Sequence, residues 1–352
     1  MRIGVFGAGA VGGIVGGLLT KAGRDVTLID QWPAHVEKMR ADGLRVTGTL
    51  GEHRVRVRAL HLHEAQSIEQ PFDVVIIAVK SYDTDWMTQL AATYLAPGGY
   101  AVDFQNGIND ERVAAIVGRE RTLGCVVHML AGMYEPGHVM RTDRGAMAYK
   151  VGELDGAQTG RVRAFVDLLN VVAPTAVTTN LFGDRWSKLA VNCMANALAG
   201  ISGLGSADVR AQPGPRRIAI RLAAEAIVVG RAYGHEIGPL HGMPAQKFVD
   251  AAADRGREAL EAEMVERVQV LTGGRPSMLQ DILRMRRTEI DFLNGHVSRA
   301  GAARGINTPF NDAIAAIVRA PGVGKLVPDP RNLGPLVALL PPAWRADLVP
   351  AA

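Results

Sequence analysis

Apolar and polar positions follow two different patterns in the two halves of the chain. Up to about residue 179, short β-branched runs alternate with longer segments of helical period, which is typical of a parallel sheet with crossover helices. The predicted strands cover residues 3–6, 26–29, 74–79, 100–104 and 123–127. The pattern therefore predicts an α/β domain over residues 1–179.

From about residue 180 the apolar residues recur every three and four positions, which predicts a mostly helical region. The predicted helices cover residues 183–201, 216–234, 244–271, 278–303 and 309–320, with Gly/Pro clusters at 212–215 and 273–276 between some of them. We expect an all-helical domain over residues 180–325. Proline and glycine without periodicity then predict an irregular tail over residues 326–352.

Composition places the chain among globular proteins. Its 352 residues are 48% hydrophobic and 21% charged, and the formal net charge is +4. The basic residues are scattered, so no nucleic-acid partner is expected. No run of about 18 apolar residues free of glycine and charge occurs, so no membrane span is expected. Cys125 and Cys193 lack CxxC spacing, which favours a reducing, cytoplasmic compartment and no metal site.

The first predicted strand leads directly into a glycine-rich turn. Its residues are Gly7, Ala8, Gly9, Ala10, Val11 and Gly12. A strand, a GxGxxG turn and a helix in this order are typical of a dinucleotide-binding βαβ unit. Gly7 allows a tight turn, Gly9 lets the backbone approach a pyrophosphate, and Gly12 lets the helix pack closely on the strand. We therefore predict a Rossmann domain that binds NAD or NADP.

Asp30 follows the second predicted strand and bears on the choice between these cofactors. A carboxylate at this position accepts hydrogen bonds from the adenosine ribose and repels a 2′-phosphate, so NAD is favoured. Arg24, Lys38 and Arg40 are close in the sequence and offer a phosphate alternative cations. Asp30 could instead simply cap the turn after its strand.

Lysine is rare in this chain, with 7 lysines against 32 arginines, and two of them occupy conspicuous positions. Lys80 follows the strand at 74–79, at the edge where ligands bind in open α/β folds. Lys188, Asn192 and Asn196 recur every four residues and share one face of a helix whose other residues are apolar. Such a helix is mainly buried, so these polar groups need partners, and we favour a ligand over a solvated stripe.

Several motifs occur together in a fixed order along the chain. They are GAGAVG at 7–12, AVKSYDT at 78–84, QNGIND at 105–110, KLAVNCMAN at 188–196, and SMLQDI and RRTEIDFLNG between 277 and 295. This set resembles the ketopantoate reductase family over almost the whole chain. The resemblance implies a Rossmann domain followed by a helical domain similar to the C-terminal domain of 6-phosphogluconate dehydrogenase. It also implies reduction of 2-dehydropantoate to pantoate, in pantothenate biosynthesis, with a nicotinamide cofactor.

The same resemblance implies roles for individual residues. Lys188 matches the general acid that protonates the developing alkoxide, whose charge it also stabilises. The implied substrate-binding residues are Asn106, Asn192, Asn196 and Ser277. Beyond the glycine turn and Asp30, the implied cofactor contacts are Lys80, Asn106 and Glu289. A small-molecule substrate and a homodimer follow from the same resemblance.

Ser277 has a second interpretation, because S-M-L-Q at 277–280 is also the pattern of a capping box. If the helix over 278–303 is straight, Glu289 lies about 18 Å from Ser277 along the axis, so the two cannot hold one small keto acid. This separation favours the assignment of Glu289 to the cofactor.

The chain departs from the family pattern at Asp83, Ser206 and Gly274, where glutamine or asparagine is common. A different or larger substrate therefore stays open. The second hypothesis is an NAD-dependent dehydrogenase of the same family that oxidises another secondary alcohol or 2-hydroxy acid. The third is a noncatalytic nucleotide-sensing module.

Overall fold

The computed structural model describes residues 1–49, 51–143, 147–267, 276–346 and 348. The chain divides into two compact units, Met1–Phe182 and Gly183–Ala352. The first unit is built on β-sheets with helices, and the second is helical throughout its described elements. The α/β class followed by a helical region is therefore confirmed.

The strands of the first unit contain the five predicted ones and several that the pattern did not predict. They are β1 (Arg2–Phe6), β2 (Asp25–Asp30), β3 (Leu44–Gly48), β4 (His53–Val55), β5 (Arg58–His61), β6 (Phe72–Ile77), β7 (Leu95–Asp103), β8 (Thr122–Val127), β9 (Ala131–Glu135), β10 (His138–Arg141), β11 (Tyr149–Glu153) and β12 (Thr175–Val177). Eight of them form one sheet in the order β12-β11-β8-β7-β6-β1-β2-β5. Neighbouring strands in it are parallel except β8 and β11, so the sheet is mixed rather than wholly parallel.

The helices of this unit connect the strands of the larger sheet. They are α1 (Ala10–Lys21), α2 (Pro33–Asp42), α3 (Thr84–Thr93), α4 (Asp110–Val117) and α5 (Gly160–Asn170). Strands β1 and β6 bury almost every side chain, as does the second half of β7, because both faces of the sheet are covered there. The glycine turn lies between β1 and α1, at the carboxyl edge of the sheet.

The remaining strands form a second sheet, β4-β3-β10-β9, which contacts α1. Helix α1 therefore lies between two sheets, and its glycines make this possible. A methyl group at Gly16 would lie 2.2 Å from Leu28 in the larger sheet, and one at Gly17 would lie 2.9 Å from Leu44 in the smaller sheet. The glycines after the GxGxxG turn thus serve close packing on both faces of the helix.

All the secondary structure elements described in the second unit are helices. With α6, which begins just before the unit boundary, they are α6 (Leu181–Ser202), α7 (Ser206–Ala211), α8 (Pro213–Ala232), α9 (Ala245–Ala252), α10 (Arg257–Glu266), α11 (Ser277–Leu283), α12 (Asn294–Ala302), α13 (Pro309–Arg319), α14 (Gly334–Leu339) and α15 (Pro342–Arg345). The helices predicted over 183–201, 216–234 and 309–320 correspond to α6, α8 and α13. Part of the predicted helix over 244–271, and most of the Gly/Pro cluster at 273–276, lie outside the described residues.

The prediction of one long helix over 244–271 is wrong, because the chain turns after α9. Asp254 adopts a left-handed conformation with φ of 61°. The Arg255 N–H donates to the Asp250 carbonyl and the Asp254 N–H donates to the Ala251 carbonyl, both across the end of the helix. This is the Schellman arrangement, which usually has glycine at the left-handed position. An aspartate there gave the sequence pattern no stop signal.

The predicted helix over 278–303 is interrupted in the same way. Met285 has φ of 54°, and the Arg286 N–H donates to the Asp281 carbonyl. Helix α11 therefore ends at Leu283, and a short 3-10 helix at Ile290–Phe292 precedes α12. No straight helix joins Ser277 to Glu289, so the predicted axial separation of about 18 Å is wrong.

The C-terminal segment is more regular than the expected irregular tail. It contains a 3-10 helix, Pro330–Leu333, before α14 and α15. Each of these short helices has a proline in its first turn and buries an apolar residue, Leu336 or Trp344 in the last two. Helices of four to six residues are too short to give a helical period, which is why the pattern did not predict them.

Candidate active site

The glycine turn has the shape that its spacing predicts. Gly7 has φ of +100°, and a methyl group on it would lie 2.8 Å from the backbone of Val79. A methyl group on Gly12 would lie 2.0 Å from the Gly7 carbonyl oxygen, so only glycine allows this approach of α1 to the turn. A methyl group on Gly9 would meet nothing within 4 Å. The space beside Gly9 is therefore open, as a phosphate-binding turn requires.

Two side chains, one at the end of β2 and one in α2, hold the glycine turn at Ala8. The Ala8 N–H donates to Asp30 Oδ2 at 2.8 Å, and His35 Nε2 lies 2.9 Å from the Ala8 carbonyl oxygen. The Gly137 N–H donates to His35 Nδ1 at 2.8 Å, so Nδ1 is the acceptor and Nε2 carries the proton. His35 is fully buried. Both backbone polar groups of one residue in the turn, Ala8, are therefore fixed by side chains, an arrangement that sequence reasoning missed.

Asp30 combines the two roles that the sequence left open. Its Oδ1 accepts from the Trp32 N–H at 2.8 Å, so it caps the turn after β2, while its Oδ2 holds Ala8. The carboxylate is 8% exposed and stands at the carboxyl end of β2 beside the glycine turn. Each oxygen has a second lone pair, so the group retains acceptor capacity for a ribose hydroxyl.

Two cations that follow Asp30 in the sequence are already paired with carboxylates. Lys38 Nζ lies 2.7 Å from Asp42, and Arg40 bonds to both Glu37 and Glu64. Hydrogen bonding from Arg40 lowers the pKa of Glu64 to about 2. These pairs leave Lys38 and Arg40 less available for a 2′-phosphate.

The turns after β6 and β7 bring Lys80 and Asn106 to the same edge of the sheet. Lys80 is half-buried and precedes a 3-10 helix, Ser81–Asp83. The Ser81 hydroxyl donates to the Asn106 carbonyl at 3.0 Å, and Asn109 Nδ2 donates to the same carbonyl at 2.9 Å. The glycine turn, Asp30, Lys80 and Asn106 therefore lie together in the first unit.

Helix α6 carries the second group of candidate residues. Asn192 and Asn196 are buried and Lys188 is half-buried, while Leu189 and Cys193 are fully buried. The expectation of a mainly buried helix with a polar stripe is thus met in these described residues. The alternative interpretation, a solvated polar stripe, is excluded because both asparagines are less than a tenth exposed.

Ser277 and Glu289 belong to the part of the second unit that contains α11 and the 3-10 helix after it. Ser277 is the first residue of α11 and Pro276 is its N-cap, without a side-chain cap hydrogen bond, so the predicted capping box at Ser277 is wrong. Helix α11 lies close to α6, as the position of Gly200 shows: a methyl group added there would lie 2.9 Å from Ile282. Glu289 is 4% exposed, immediately before the short 3-10 helix. Gly274, one of the departures from the family pattern, lies outside the described residues.

Other candidate chemistry gives no second site in the described ranges. No group of three or more His, Cys, Asp or Glu side chains there is placed to hold a metal ion. Cys125 and Cys193 are buried and form no disulfide, and burial raises the pKa of Cys193. No described helix combines the length and hydropathy needed to cross a membrane.

The mixed sheet with its glycine turn, together with the helical unit, defines the class of two-domain dinucleotide-binding proteins. A family model described as ketopantoate reductase PanE/ApbA matches residues 3–156, and the corresponding C-terminal model matches residues 180–322. The chain belongs to the ketopantoate reductase family. The predictions of the family and of the fold are therefore confirmed.

Individual relatives agree with this assignment. A curated 2-dehydropantoate 2-reductase of Archaeoglobus fulgidus is 30% identical over 320 residues, which are 90% of this chain and 97% of the relative. The crystal structure of a ketopantoate reductase from Ralstonia eutropha JMP134 has a TM-score of 0.75 at 28% identity and covers 91% of this chain and 98% of that chain. A D-mandelate dehydrogenase solved with NADH and anilino(oxo)acetate has a TM-score of 0.77 at 23% identity, with 91% and 98% covered.

Proposed function

We propose that this protein is a nicotinamide-dependent reductase that converts 2-dehydropantoate to pantoate. The observation that carries the proposal is the buried polar stripe of α6, where Lys188, Asn192 and Asn196 stand among apolar neighbours. The family assignment and the Archaeoglobus fulgidus relative, a 2-dehydropantoate 2-reductase, support it.

The residues of the chain fit a nicotinamide dinucleotide, as the open space beside Gly9 indicates. When bound, such a cofactor supplies a hydride. Lys188 would donate a proton to the ketone oxygen and stabilise the negative charge that develops there. Amides and a hydroxyl are suited to hold the carboxylate and hydroxyl oxygens of a small keto acid. We assign this role to Asn106, Asn192, Asn196 and Ser277.

The cofactor would be held mainly by the first unit. The glycine turn would bind the pyrophosphate through its backbone, and Lys80 would contact the nucleotide. Glu289, buried in the second unit, is proposed as a further cofactor contact. These assignments predict that changing the glycine turn alters cofactor affinity, whereas changing α6 alters turnover.

The direct test is turnover of the purified protein. We expect oxidation of NADH or NADPH when 2-dehydropantoate is added, and formation of one pantoate for each cofactor oxidised. No oxidation of either cofactor with this ketone would reject the proposal.

For the cofactor we propose NAD over NADP. Asp30 beside the glycine turn, and the engagement of Lys38 and Arg40 by carboxylates, support this preference. The test is the dissociation constant of each reduced cofactor, measured by nicotinamide fluorescence. We expect tighter binding of NADH, and replacing Asp30 by alanine should weaken NADH binding and relax the discrimination. An unchanged preference would refute the role of Asp30.

A second candidate function is the NAD-dependent oxidation of another 2-hydroxy acid or secondary alcohol. The preference for NAD favours it, and the D-mandelate dehydrogenase with the same fold was solved with NADH. A panel of 2-keto acids and secondary alcohols, assayed with both cofactors, separates the two. Highest kcat/KM on a substrate other than 2-dehydropantoate, with NAD, would favour this candidate.

We also propose that the protein works in the cytoplasm as a homodimer on a small-molecule substrate. The buried, unlinked cysteines are compatible with a reducing compartment. Light scattering during size-exclusion chromatography would test the dimer, since a monomer gives 37.5 kDa and a dimer twice that mass.

A further inference from the structure

Three turns meet at the carboxyl edge of the larger sheet, where β6, β1 and β2 are neighbours. The middle one is the glycine turn, and it touches both flanking turns. Gly7 approaches the backbone of Val79 after β6, and Ala8 donates to Asp30 at the end of β2. A dinucleotide whose pyrophosphate lies on the glycine turn therefore has its adenosine between these flanking turns.

Asp83 links the two flanking turns. Gln31, directly after Asp30, donates from Nε2 to Asp83 Oδ2 in a long hydrogen bond of 3.4 Å. Trp86 Nε1 donates to the other oxygen, Oδ1, at 2.9 Å. The Asp83 carboxylate is half-buried, and its orientation is set by donors from both sides. A second carboxylate is thus held next to the residue that follows Asp30.

We propose that Asp83 is a second determinant of cofactor choice, which acts with Asp30 to disfavour a phosphate on the adenosine 2′ position. This inference rests on the proposed function, because it assumes that the glycine turn binds a nicotinamide dinucleotide. A 2′-phosphate would bring negative charge to a rim that already carries two carboxylates, and like charges brought together oppose binding. Lys80, three residues before Asp83 on the same turn, is the cation whose attraction Asp83 offsets.

The isosteric substitution Asp83→Asn removes the charge and keeps an oxygen that accepts from Trp86. We expect the dissociation constant for NADPH to fall about fivefold. This is the effect of removing the repulsion between two unit charges about 4 Å apart in water-like surroundings. NADH binding should stay within about twofold, because its 2′-hydroxyl is neutral. In the unmodified protein, the ratio of the dissociation constants for NADPH and NADH should also decrease as the salt concentration is raised. In the variant this ratio should depend less on salt.

The matched control is Asp85→Asn, which removes the same charge two residues away. Asp85 is 61% exposed and pairs with Arg112 at 2.9 Å, so it has no link to Gln31. Its replacement should leave the ratio of the two dissociation constants unchanged. An equal change in both variants would mean a general surface-charge effect and would overturn the inference, as would an unchanged ratio in Asp83→Asn.

Thermal melting and a second variant, Asp83→Gln, guard against a folding artefact, since both neutral side chains should change the ratio in the same direction. The measurement needs no substrate, so absence of turnover would count against the proposed reaction and leave this inference standing. A protein that prefers NADPH would refute the NAD proposal, while the effect of Asp83→Asn would still decide the present one. Binding of neither cofactor would refute both.

Discussion

The glycine turn and helix α6 present polar groups in opposite ways. At the turn the backbone itself faces the open space, and the side chains of Asp30 and His35 fix that backbone at Ala8. On α6 the backbone N–H and C=O groups around Lys188 bond to one another along the helix, so a ligand there meets mainly side chains such as Lys188. Shape is therefore critical at the turn, whereas the chemical identity of side chains is critical on α6.

The strongest test of this contrast is Lys188→Ala. Loss of the proposed general acid should lower kcat by about a hundredfold or more. Cofactor affinity, which we assign mainly to the first unit, should stay nearly unchanged. Steady-state kinetics and cofactor titration measure the two effects. The control is Lys247→Ala, which removes an exposed lysine paired with Glu263 at 2.7 Å. A loss of stability with intact kcat would show that Lys188 is structural.

In the glycine turn the effect of an added methyl group should depend on its position. The variants Gly12→Ala and Gly9→Ala test this, because each adds one methyl group. At Gly12 the methyl group meets the Gly7 carbonyl oxygen, so we expect a loss of about 1–3 kcal/mol in the free energy of unfolding. At Gly9 the methyl group meets no protein atom, so stability should hold while cofactor affinity falls. Urea unfolding and cofactor titration measure these quantities. Equal loss of stability in both variants would contradict the described turn.

His35→Ala tests whether the fixed backbone of the turn matters for binding. The substitution leaves the Ala8 carbonyl and the Gly137 N–H without their side-chain partner, which costs about 1–3 kcal/mol for each buried group. We expect lower stability and weaker cofactor binding with little change in kcat at saturating cofactor. His35→Gln, which can both donate and accept, should recover part of the loss. Wild-type cofactor affinity in His35→Ala would remove His35 from the binding site.

What the sequence could predict follows the same division. The five strands, the glycine turn and the buried stripe of α6 were predictable, because each depends on local spacing or periodicity. The smaller sheet was not, since it pairs β3 with β10 across a long sequence separation. The link between His35 and Gly137, which are 102 residues apart, left no local signal either.

The ends of helices were missed for a local reason. Asp254 and Met285 occupy left-handed positions where glycine is the usual marker, and their neighbours continue the helical period. Periodicity therefore predicted long helices where the chain makes two turns. Asp83 shows the limit for the site, because its departure from the family pattern was visible while its contact with Gln31 was not.

The last effect that we expect is a dependence of stability on pH, and it arises from polar groups packed around α6. Glu225 on α8 accepts hydrogen bonds from the Phe310 and Asn311 N–H groups at 3.0 Å each, at the start of α13. Asn294 Nδ2 donates to Asn311 Oδ1 at 2.9 Å and, over 3.4 Å, to the Cys193 carbonyl on α6. Hydrogen-bonded side chains thus connect the half-buried carboxyl group of Glu225 to the helix that carries Lys188.

Burial raises the pKa of Glu225 to about 7, against the opposing effect of the donors from α13. A carboxyl group whose pKa is higher in the folded state contributes stability at low pH, and this contribution disappears as the pH rises through about 7. The free energy of unfolding should therefore fall by about 2–3 kcal/mol between pH 5 and 8 on account of this group. Glu225→Gln should remove that slope, whereas Glu263→Gln, a change at a carboxylate whose pKa is lowered by Lys247, should keep it. Urea unfolding at four pH values measures this dependence on pH. A slope that persists in Glu225→Gln would assign it to other titratable groups. It would also mean that the Glu225 carboxylate stays ionised over this range.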